Sequence, residues 1–109
     1  MPQEQGKRLV EWVTPDIIRH HFNTSQIFEK MKAGEYHTNL TRDSHPGKIK
    51  GREPYCTRSQ IVFYYDLDNN LLAVVHQYLR PDGTLGASGL PDPKWLYINN
   101  RILAVRSEK

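Results

Sequence analysis

The residues with the greatest chemical reach are five histidines, at positions 20, 21, 37, 45 and 76, a single cysteine, Cys56, and a set of cations gathered in one segment. A zinc-type centre needs three or four convergent ligands, commonly supplied as closely spaced pairs. Adjacent residues on a helix diverge by roughly a third of a turn, so His20 and His21 do not form such a pair. A set made of His21, His37 and Cys56 would have to be assembled by the fold, and no metal or cofactor is assigned from spacing. Acid–base chemistry is the stronger reading. Strand alternation places His76 among Phe63, Val74 and Tyr78, with Arg80 further along the same face. Desolvation there lowers an imidazole pKa and keeps the ring neutral, as a general base requires. The plainer alternative is a core histidine whose hydrogen bonds are satisfied. His45 and His37 are the candidate catalytic counterparts of His76.

From Arg42 to Arg58 there are five cations against two anions, which accounts for the whole net charge of +3. Such a segment is an electrostatic footprint for phosphate or another polyanion, although a solvated basic loop has the same composition. Arg42, Lys48, Lys50, Arg52, Arg58 and Arg80 are the candidate nucleic-acid and phosphate contacts. Tyr36, Tyr55, Tyr64 and Trp95 are aromatics on which bases stack, or else core residues. Arg52 and Arg58 flank Cys56, but a lone cysteine is more often structural, and one cysteine excludes an intrachain disulfide. Gly86-Ala87-Ser88-Gly89 lacks the Lys-Ser/Thr pair and the following helix of a phosphate loop, and Ser88 does not sit in Gly-x-Ser-x-Gly. It reads as a flexible or tightly turned loop, or, with residues 83–90, as a lid over the neighbouring sheet face.

These groups must be held by a small set of elements. Leu9 to Val13 is a short apolar element. Thr14-Pro15-Asp16 opens a helix, because Thr caps, Pro fits the first helical position and Asp suits the positive end of the dipole. Ile17, Ile18, His21 and Phe22 share one face, and Ile27, Phe28 and Met31 continue the stripe at helical spacing. Asn23-Thr24-Ser25 either divides this region into two helices or lies inside one, and Gly34 ends it. Glu35 to Thr41 has the composition of a short or edge strand, followed by a basic loop over 43–56 and a Gly/Pro-rich loop over 81–93.

Thr57–Asp66 and Leu71–Arg80 form a hairpin about Asn69-Asn70, and 94–98 pairs with 101–105 about Asn99-Asn100, since Asn tolerates the positive φ of tight turns. With Asn69 and Asn70 as the two central turn residues, paired numbers sum to 139. Ile61, Phe63 and Tyr65 then share a face with Val74, His76 and Tyr78, while Val62 and Tyr64 share the other with Ala73, Val75, Gln77 and Leu79. Both faces are apolar, and one helical region covers only one of them. The second face must meet another part of the chain, a ligand or a second copy; a homodimer is the expectation.

The predicted architecture is α+β: one or two N-terminal helices followed by a mostly antiparallel sheet of four to five strands, in a single domain over 1–109 with 1–8 as a disordered tail. No run approaches the roughly 20 apolar residues of a membrane helix, and the N-terminus lacks the apolar segment of a secretory signal, so the expected address is cytoplasmic. No stretch of residues identifies a family. In architecture alone, helices before a four-stranded antiparallel sheet in a basic chain near 100 residues resemble the small metal-independent ribonucleases and ribosome-dependent toxin nucleases. That resemblance implies action on RNA. The leading expectation is a small basic domain that binds or acts on nucleic acid with RNase-like, metal-independent chemistry. The alternatives are a dimeric adaptor or regulatory protein, and a small-molecule domain with 83–90 as lid.

Overall fold

The computed structural model describes residues 9–44, 54–86 and 88–106. Strand β1 (Val10–Trp12) leads into helices α1 (Pro15–Thr24) and α2 (Ile27–Lys32), and β2 (His37–Ser44), β3 (Arg58–Tyr65), β4 (Leu71–Leu79), β5 (Asp92–Ile98) and β6 (Arg101–Ala104) follow. The strands form one six-stranded sheet in the order β1-β6-β5-β4-β3-β2. Strands β2 to β6 run antiparallel in succession, and β1 joins the far edge parallel to β6. The sheet is therefore mixed and has one strand more than the expected four to five. The extra strand is the short apolar element at the N-terminus; α1 and α2 carry the chain from β1 at one edge of the sheet to β2 at the other.

Helix α1 starts as its sequence dictates. The Thr14 side chain accepts the Ile17 N–H at 3.3 Å, Pro15 occupies the first turn, and Asp16 pairs with Arg19 at 3.0 Å. The break at 25–26 is real: Gln26 takes a left-handed φ of 56° between the two helices. Gly34, at φ 88°, turns the chain away after α2 in a conformation that suits a residue without Cβ. Ile18, Phe22 and Ile27 pack on Val62, Tyr64, Ala73, Val75, Leu96 and Leu103 to form the core. Both helices thus cover one sheet face. Among the described residues no helix is long and apolar enough to cross a membrane.

The first hairpin departs from its predicted register. Phe63 pairs with Val74 and Ile61 with His76, so paired numbers sum to 137, two fewer than predicted. The turn is longer than two residues because the Asp66 carboxylate organises it, accepting the N–H of Asp68 at 2.8 Å and of Asn70 at 2.9 Å. A bulge between Tyr64 and Tyr65 absorbs the remaining offset. A shift of two keeps every side chain on its predicted face, since the pleat repeats every two residues. The second hairpin closes as predicted, with Asn99 at φ 52° and Asn100 at φ 65° between paired Ile98 and Arg101.

Two loop boundaries move inward. Asp43 and Ser44 belong to β2, and the rest of the basic segment through residue 53 lies outside the described residues, as does the 1–8 tail. Asp92 and Pro93 belong to β5, where Pro93 sits beside a bulge opposite Val75; a bulge relieves the strand of the N–H that proline lacks.

Candidate functional site

Polar side chains collect at one end of the β3–β4 pair, on both faces of the sheet. On the helix side, Arg58 donates from Nε and Nη2 to the two carboxylate oxygens of Asp43, at 2.6 and 2.9 Å. Gln60 donates to Asp43 Oδ1 at 3.3 Å and Gln77 donates to Gln60 Oε1 at 2.9 Å. Gln60 is buried, and this chain satisfies an amide that would otherwise be costly to desolvate. On the opposite side, Ser59 Oγ lies 2.9 Å from His76 Nε2, and the Tyr78 ring meets the imidazole edge-on at 4.7 Å. Burial lowers the His76 pKa, the Lys94 ammonium lowers it further, and the carboxylate of Asp92, its cross-strand neighbour, works in the other direction. The ring is thus biased to the neutral state.

Next to this end lies a cleft of about 370 Å³. Helix α1 contributes Arg19 and Asn23, β4 contributes His76, Gln77 and Tyr78, and the chain entering β5 contributes Gly86, Ser88, Leu90, Pro91 and Asp92. That loop is placed by backbone: the Gly86 N–H bonds to the Tyr78 carbonyl at 2.8 Å, and Leu85 bridges to Leu79. Arg19 Nη1 holds Asp16 at 3.0 Å and its Nε holds Asp92 at 3.2 Å, while Lys94 holds the second oxygen of Asp92 at 3.0 Å. The cleft lining is mixed, more apolar than polar, and its principal charges are paired.

The sheet face turned away from the helices is a second feature. By strand alternation it carries Ile61, Phe63 and Tyr65 from β3, Val74, His76 and Tyr78 from β4, Trp95 and Tyr97 from β5, Ile102 from β6 and Trp12 from β1. Trp12 is 53% exposed and the others are partly buried. The Phe63 and Tyr65 rings are 6.4 Å apart, His37 stacks on Tyr65 at 5.5 Å, and the Arg106 guanidinium lies 4.5 Å over Trp12. Among the described residues, no helix packs on this face.

Of the predicted catalytic histidines, His76 stands at this polar end. His37 lies on β2 opposite Tyr65, four residues along and two strands across from His76, on the order of 16 Å away, and its Nε2 contacts Asn69 Oδ1 at 2.9 Å. The two do not share a site. His45, Lys48, Lys50 and Arg52 lie outside the described residues. Arg42 is exposed on β2, opposite Ile61, and so borders the aromatic face. Arg58 is bound to Asp43, and Arg80 is half-buried after β4, with its N–H on the Thr84 carbonyl at 2.8 Å. Cys56 is exposed, at φ 74°. Among the described residues no three potential metal ligands come together.

Ser59, Gln77, Asp92, Arg19 and Asn23 were not singled out by sequence. Ser59 was hidden by register: pairing to a sum of 139 sets it opposite Arg80, whereas the observed pairing sets it opposite Tyr78, diagonal to His76. Comparison with protein-family models, with curated proteins and with solved structures finds no match to this chain.

Proposed function

We propose that this domain binds single-stranded nucleic acid on the open face of its sheet. The observation that carries the reading is the row of partly exposed rings on that face, Phe63, Tyr65, His76, Tyr78 and Trp95, with Trp12 at its edge. Bases present π-faces whatever their identity, and an aromatic platform beside cations takes up a strand by stacking and phosphate neutralisation together. Arg42 borders the platform, the neighbouring sequence through Arg58 is rich in Lys and Arg, and the chain carries a net charge of +3.

The direct test is fluorescence anisotropy with labelled single-stranded RNA and DNA of mixed sequence at low and moderate salt. Binding should weaken steeply with salt. Phe63→Ala and Tyr65→Ala should each weaken it about tenfold, since a stacked base contributes roughly 1–3 kcal/mol. Arg42→Ala should lower the log–log salt slope by about 0.7. Absence of binding at low salt, together with a sedimentation mass twice that of the monomer, would assign the face to a second copy and refute the proposal.

A further inference from the structure

We infer that the outer edge of β2 pairs antiparallel with β2 of a second copy of this chain, about a two-fold axis, so that the two sheets join into one. This goes beyond the nucleic-acid reading of the open face and does not depend on it. Strand β2 ends the sheet on one side, and all eight of its residues are exposed. Among the described residues no strand pairs with its outer edge. A strand so placed presents a row of N–H and C=O groups that another strand can take up, and edges are commonly blunted by short length, lysine, proline or a bulge. The opposite edge, β1, is kept to three residues. Strand β2 has a bulge between Leu40 and Arg42, but it is eight residues long, holds no lysine or proline, and carries Leu40 at 47% exposure.

The order of side chains along β2 is what selects a second copy as the occupant. His37 pairs with Tyr65, Asn39 with Phe63, Arg42 with Ile61 and Ser44 with Ser59, which puts these β2 residues on the open side of the sheet. Thr38 pairs with Tyr64, Leu40 with Val62 and Asp43 with Gln60, which puts these on the helix side. The bulge at Thr41 interrupts the alternation, and its effect is that the faces read the same from either end of the strand. From His37 to Asn39 the order is open, helix, open, and from Ser44 back to Arg42 it is again open, helix, open. Strands related by a two-fold axis normal to the sheet must match residues that share a face. With the axis between Leu40 and Thr41, His37 meets Ser44 of the other copy, Thr38 meets Asp43 and Asn39 meets Arg42, each on a common face. A slip of one residue sets open-side residues against helix-side ones. The pairs also match in chemistry: a hydroxyl meets a carboxylate, an amide meets a guanidinium, and no like charges stand opposite each other.

The test is sedimentation equilibrium of the full chain from micromolar to millimolar concentration, with Asn39→Lys, Asn39→Asp and Trp12→Ala beside the wild type. Asn39 is exposed, so its substitution leaves the core untouched. The wild type should show a monomer–dimer equilibrium. Asn39→Lys sets an ammonium against Arg42 twice in each dimer and should raise the dissociation constant about tenfold, whereas Asn39→Asp offers the guanidinium a carboxylate and should lower it. Trp12→Ala truncates the most exposed ring of the open face, at the far edge of the sheet, and should leave the constant unchanged. A wild type that stays monomeric at millimolar concentration overturns the inference, as does a dimer indifferent to Asn39→Lys. A dimer weakened by Trp12→Ala alone would place the contact on the open face instead. None of these results rests on oligonucleotide binding, so this inference and the nucleic-acid reading stand or fall separately.

Discussion

Tyr64 is the one described residue with a fully buried side-chain polar atom lacking a hydrogen-bond partner. It is 1% exposed, sits in the core against Val62, Ala73 and Val75, and meets Phe22 ring to ring at 6.3 Å. A buried hydroxyl that makes no bond retains its desolvation penalty, about 1–3 kcal/mol, without the compensating gain. Tyr64→Phe removes the oxygen and keeps the ring. Allowing for the small void left behind, the variant should be more stable by about 1 kcal/mol, or about 4 °C in Tm for a domain of this size. Urea unfolding followed by circular dichroism measures the difference directly.

A second limb of the same experiment runs in alkali. Burial pushes the Tyr64 phenol above its ordinary pKa, so the folded state holds a proton that the unfolded state gives up. A raised folded pKa contributes stability that is complete below the unfolded value, near pH 10, and is lost as pH rises towards the folded one. The slope is up to about 1.4 kcal/mol per pH unit. The advantage of Tyr64→Phe should therefore widen above pH 10. A variant that is instead less stable by about 1 kcal/mol, with no added alkaline gap, would mean that the hydroxyl is well bonded in the folded protein, and the reasoning would be refuted.

Two other outcomes follow from the polar residues. His76 should titrate by NMR with a midpoint below the ordinary histidine value near 6.5. Its neutral form then contributes stability that is present above that value and lost as pH falls through the folded midpoint, so the loss in mild acid should shrink in His76→Gln; a midpoint above 6.5 would contradict this. Asp66→Ala should lower Tm more than Asp66→Asn, because an amide oxygen still accepts from the turn. Hydrogen bonds from Asn70 hold the Asp66 carboxyl below the usual carboxylate range, so its contribution is present above the ordinary pKa and disappears as pH falls through the lowered one. Equal melting temperatures for the two variants would argue against the turn role.

Local chemistry was legible where it acts within a few residues. Thr14-Pro15-Asp16 caps α1, Gly34 ends the helical region, and Asn99-Asn100 makes a two-residue turn because each of these depends on one or two backbone conformations. The Asp66 turn was misjudged for the same reason in reverse. Asn69-Asn70 has the composition of a tight turn, but a carboxylate two to four residues upstream offers competing acceptors and a longer loop uses them. The parallel β1–β6 pair lay beyond local signals altogether, since it joins residues about 90 positions apart.

The candidate site divides along the same line. The aromatic face was legible because a strand's pleat repeats every two residues, and an error of two in register does not disturb it. The Ser59–His76 contact was lost to that same error, because a contact depends on which residue lies opposite and not only on which face it occupies. The cleft is one step further removed. It exists because α1 packs against β5, which brings Arg19 to Asp92 and Asn23 alongside Gln77. No period or spacing in the chain encodes that convergence. Under the proposed reading, charge and ring-bearing strands, which are plain in the sequence, bear on affinity for a nucleic-acid strand, whereas the cleft is a product of the tertiary fold alone.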